Sequence, residues 1–69
     1  MKPKHILIAF RNAGWYLRFP GQQSLRRPGL VPDRCVELYR YDYANREWVH
    51  RWITGIPDEA IEEYKRIIG

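Results

Sequence analysis

Arg18, Arg26, Arg27, Arg34 and Arg51 carry planar, permanently charged guanidinium groups, and Tyr39 and Tyr41 carry flat rings with a polar tip. Such cations attract a phosphate backbone without reading its sequence, and exposed rings give unpaired bases a surface to stack on. A β-surface with interleaved tyrosine and arginine is a recurring way to hold single strands and RNA. These seven residues are the candidate binding set, and nucleic acid is the first expected partner. Tyrosine, tryptophan and arginine also anchor protein interfaces. The alternative partner is therefore a protein complex, met by an accessory subunit or by an inhibitor of the kind that viruses and mobile elements carry. A basic inhibitor has the wrong charge to mimic nucleic acid, so it would block its target by direct contact.

Other chemistries find less to use. Ser24 is the only serine, and no histidine lies near it in sequence. Cys35 is the only cysteine, which leaves no disulfide partner within the chain. His5, Cys35 and His50 lack the spacing of a metal site. The stretch "GQQSLRRPG" lacks the lysine and the strand–helix setting of a phosphate loop. Asp58, Glu59, Glu62 and Glu63 cluster where an acidic helix start is expected. The expectation is a binding protein without enzyme activity, metal or cofactor.

Charge is unevenly placed. The net charge of the 69 residues is +4. Residues 1–34 hold seven basic groups and one acid, whereas residues 35–69 hold five basic groups and seven acids. That asymmetry points to one basic face. A chain this short buries only about 60% of its unfolded surface. Without disulfides, the supports left are its ten aromatic residues, a partner, or assembly into a homo-oligomer. The apolar run Ile6–Phe10 is too short for a membrane span or a signal-peptide core, so a cytoplasmic location and no membrane contact are expected.

The elements that must position these groups follow from local patterns. Residues 4–19 read as a β-hairpin: Ile6, Leu7, Ile8 and Phe10 are strand formers, as are Trp15, Tyr16, Leu17 and Phe19, with a glycine-closed turn at Asn12–Gly14. A short helix capped by Gly14 competes with it. The β-branched and aromatic content favours strand. Residues 20–34 form a long Pro/Arg-rich loop, which Leu25, Leu30 and Val31 can pin to the core.

Residues 35–53 read as a second hairpin. A three-residue loop with Asn45 in the left-handed region would pair Asp42 with Arg46 and Arg40 with Trp48. One face would then carry Val36, Leu38, Arg40, Trp48, His50 and Trp52. The other would carry Glu37, Tyr39, Tyr41, Val49, Arg51 and Ile53. A slip of one residue would put Tyr39, Tyr41, Trp48, His50 and Trp52 together. Residues 57–68 read as a helix, with Pro57 at its start and Ala60, Ile61, Tyr64, Ile67 and Ile68 as the buried stripe.

These elements predict a single α+β domain over residues 1–69. Its core would be a small, mostly antiparallel four-stranded sheet of two hairpins, able to curl into a barrel, with one C-terminal helix packed on it. Trp48, Trp52, Leu38, Leu17, Ile61 and Tyr64 would be buried together.

Overall fold

A computed structural model describes residues 2–68. The elements are α1 (Pro3–Asn12), β1 (Tyr16–Arg18), β2 (Cys35–Asp42), β3 (Glu47–Thr54) and α2 (Asp58–Ile68). The class is α+β, but a three-stranded antiparallel sheet with two helices replaces the expected four strands and one helix.

The difference lies in residues 3–12. Pro3 starts α1, where a missing amide donor costs nothing. Gly14 ends it at φ +92°. The Gly14 amide donates to the Arg11 carbonyl and the Trp15 amide to the Phe10 carbonyl. That pair of bonds is a Schellman motif, and the rings of Phe10 and Trp15 meet edge to face at 5.9 Å, supplying its usual apolar contact. Strand-forming side chains lose here because α1 buries Leu7 completely and packs Ile8 and Phe10 beside it. Burial of one helical face outweighs the few tenths of a kcal/mol per residue by which propensity disfavours these residues.

α2 follows the expected pattern, with Asp58 and Glu59 in its first turn and Lys65 and Arg66 in its last. Ala60, Ile61 and Tyr64 are buried, while Ile67 is exposed. Lys4 of α1 bridges to Glu63 of α2 at 3.0 Å. Leu7, Phe19, Val36, Leu38, Ile56, Ala60, Ile61 and Tyr64 form the core. Among the described residues, no helix is long and apolar enough to cross a membrane.

The sheet order is β1-β2-β3. β2 and β3 pair Asp42 with Glu47, Tyr41 with Trp48, Tyr39 with His50 and Glu37 with Trp52. This is the slipped register, and the turn decides it. Asp42 Oδ1 accepts from the amides of Ala44 (3.0 Å) and Asn45 (3.3 Å), and Asn45 Nδ2 donates to Oδ2. The left-handed residue is Arg46, at φ +54°, not Asn45. The connection therefore has four residues instead of three, and one added residue exchanges the faces of β3 relative to β2.

Val36 and Leu38 thus face the helices together with Leu17 and Ile53. Trp48 and Trp52, expected in the core, lie on the opposite face, where Trp48 is 50% exposed. Arg40 does not reach Trp48; its guanidinium lies 5.5 Å from the centre of the Trp15 ring. Leu38→Ala should therefore cost about 2–5 kcal/mol in a denaturant melt. Trp48→Ala should cost less, about 1–3 kcal/mol, the scale of the two ring contacts it loses.

Candidate functional site

Tyr16, Arg18, Glu37, Tyr39, Tyr41, Trp48, His50 and Trp52 share the sheet face turned away from the helices, because successive residues of a strand alternate sides. The rings form a continuous row across all three strands. Tyr16 stacks on Tyr39 with centroids 5.3 Å apart and planes 20° from parallel. Tyr39 meets Trp48 at 6.1 Å, Trp48 meets Tyr41 at 5.4 Å, and Tyr41 meets Tyr43 at 4.9 Å. Tyr16 and Tyr43 are exposed, so the row presents ring surface to solvent at both ends. Burial raises the pKa of Tyr39, and its hydroxyl stays protonated near neutral pH.

The loop from Phe19 to Arg34 folds over the lower part of this face. It is a miniature hairpin, not an open connector. Gln23 and Leu30 form an antiparallel bridge, and the Ser24 amide donates to the Gly29 carbonyl at 3.0 Å. Gly29 takes φ +96°, which closes the tip behind Pro28. Arg18 Nε donates to the Gln23 carbonyl at 3.1 Å and ties the base of the hairpin to β1.

Glu37 fastens the tip. Its side chain is 0% exposed. Oε2 accepts from Ser24 Oγ at 2.5 Å and lies 2.9 Å from His50 Nε2, while Oε1 accepts from the Leu25 amide at 3.0 Å. Ser24 Oγ in turn accepts from the amides of Arg26 and Arg27. Burial pushes the Glu37 pKa up, but the bonds from Ser24, Leu25 and His50 outweigh it and hold the carboxyl below its ordinary value. Serine, glutamate and histidine meet here in an order unsuited to nucleophilic catalysis. The acid lies between the other two, so the Ser24 hydroxyl donates its hydrogen bond to a carboxylate and not to an imidazole base.

The fastened tip and the sheet border an open groove of about 240 Å³ lined by Leu25, Arg26, Tyr39 and Trp48. The seven residues expected to bind are only partly assembled. Tyr39 and Tyr41 share the aromatic face, and Arg18 stands beside it on β1. Arg26 lines the groove, and Arg27 lies 5.5 Å from the centre of the Trp52 ring. Arg34 sits in the turn before β2 at φ +62°, its carbonyl engaged by the Ile56 amide. Arg51 is opposite Leu38, on the other side of the sheet from Tyr39. The register that brought Trp48 to this face removed Arg51 from it.

Tyr16, Leu25, Trp48 and the Ser24–Glu37–His50 cluster were not among the expected site residues. Alternation with Arg18 on a short strand could have exposed Tyr16. Nothing local links Ser24 to Glu37, which is 13 residues away. Among the described residues, no group of three or more His, Cys, Asp or Glu side chains could hold a metal ion. The chain matches no family model, no curated protein and no solved structure.

The cluster makes a pH prediction with a definite sign. Glu37 titrates near 4.5 when unfolded and lower when folded. Its contribution to stability is complete above the unfolded value and disappears as pH falls through the folded one. Glu37→Gln should lower the melting temperature at neutral pH, and its deficit against the parent protein should shrink as the pH falls below the ordinary carboxylate value of 4.5. Glu37→Ala should cost on the order of 3 kcal/mol, because it leaves buried donors at about 1–3 kcal/mol each without an acceptor.

Proposed function

We propose that the protein acts by binding, and that its ligand is single-stranded nucleic acid laid along the aromatic sheet face. One observation carries this reading: five rings from Tyr16 to Tyr43 form a row, four of them on the face opposite the helices and Tyr43 in the turn at its end, with Arg18 and Arg26 at its rim. A row of partly exposed rings suits successive unpaired bases, since every base has a π-face to lay against a ring. Cations beside the row suit the phosphates between them. A double helix offers neither splayed bases nor a flat approach, so an unpaired strand fits this face better. The helices support the sheet from behind and leave the rings free to be covered.

Fluorescence anisotropy with labelled mixed-sequence oligonucleotides tests the proposal. Affinity should fall steeply between low and physiological salt. Tyr39→Ala and Trp48→Ala should each weaken binding about tenfold, the low-to-middle range for one lost stacking partner. Arg51→Ala should change it little beyond the loss of one charge, because Arg51 projects from the other side of the sheet. Failure to bind any oligonucleotide at low salt would instead favour a protein surface as the occupant of the same rings.

A further inference from the structure

The groove between the hairpin tip and the sheet differs from the open row of rings. Leu25 is 48% exposed even though its own amide is fixed to Glu37. This apolar side chain lines the groove together with the half-exposed Trp48 and the more buried Tyr39. Arg26 lines the same groove, and its guanidinium makes no hydrogen bond, ion pair or ring contact with the described residues. Its neighbour Arg27 is already placed over Trp52. The groove therefore has apolar walls and one free planar donor. A cationic ligand is disfavoured by that arginine. A flat ligand with paired acceptors on one edge is favoured, because two parallel N–H groups match two adjacent acceptors.

We infer that this groove is a subsite for one unpaired guanine. The inference rests on the nucleic-acid reading above and adds base selectivity to it. Guanine presents N7 and O6 side by side as acceptors, the commonest specific target of a bidentate arginine. Adenine places an amino donor beside N7, which repels one arm of the fork. Thymine and uracil place the N3 proton between their carbonyls. Cytosine offers N3 and O2 as paired acceptors, but its single ring covers less of the Trp48 indole than a purine does. Guanine therefore meets both requirements, the acceptor pair and the stacking area. The Ser24–Glu37 fastening supports binding here, because a tip already fixed in place loses little freedom when the base enters.

The test uses short thymidine and uridine runs carrying one central guanine, cytosine or adenine, beside the unbroken run, with the full-length protein. A single guanine should tighten binding about tenfold in at least one of the two series. Replacing it with 7-deazaguanine, which lacks the N7 acceptor, should abolish that gain. Arg26→Lys keeps the charge but loses the fork, and should likewise remove the guanine advantage. Unbroken runs that bind while guanine adds less than about twofold in both series would overturn the subsite and leave strand binding intact. So would a preference for cytosine or adenine, or a guanine advantage that survives Arg26→Lys. No binding of any run at low salt would overturn both the subsite and the proposed function.

Discussion

Glu37 is a charged side chain placed in the central strand with no exposure, on the face away from the helices. An ionised carboxylate out of reach of water is tolerable only when its oxygens are fully engaged. Ser24, the Leu25 amide and His50 provide that engagement, and two of the three come from the loop. The need to satisfy this carboxylate brings the hairpin tip down onto the sheet. Once it is down, Trp52 is covered, Arg27 lies against that ring, and Leu25 and Arg26 stand opposite Trp48. The lower half of the face becomes an open groove walled on one side by the hairpin tip, and the upper half stays uncovered.

The two faces of the sheet therefore have different duties. Val36 and Leu38 face the helices and carry the apolar burial that a chain of this length needs. Tyr39 and Tyr41 alternate with them and, with Trp48, build a ring surface that contributes little to the core. Even Trp52, large as it is, lies outside the main cluster, and its indole N–H is buried without a partner among the described residues. Two tryptophans spent on the outer face of so small a sheet represent a substantial commitment of apolar surface away from the core. Trp52 packs beneath the hairpin tip, whereas Trp48 stays half-exposed, and it is this ring that the proposed stacking ligand would use.

Much of this was legible residue by residue, and the failures have specific causes. Asp42 and Asn45 correctly marked a turn, yet its length hung on whether Asn45 or Arg46 took the left-handed conformation. Arginine is the less expected choice, and that one residue moved Trp48 outward and Arg51 away. Residues 3–12 carry side chains that suit a strand, but Gly14 also fits a helix cap, and local pattern leaves both open. Packing of Leu7 against the core selects the helix.

The sequence by itself determined the α+β class, the hairpin over residues 35–53, the C-terminal helix and a composition rich in arginine and tyrosine. Those follow from period, capping and composition, which act between near neighbours. Only the tertiary structure decided which face each ring occupies, that the first segment is a helix, and that the loop is a fastened hairpin. Each of these turns on contacts between residues far apart in the chain, or on a single-residue choice of register. Ser24 and Glu37 carry no mark of each other in the sequence; they meet because a buried carboxylate must find donors, and the folded chain brings these within reach.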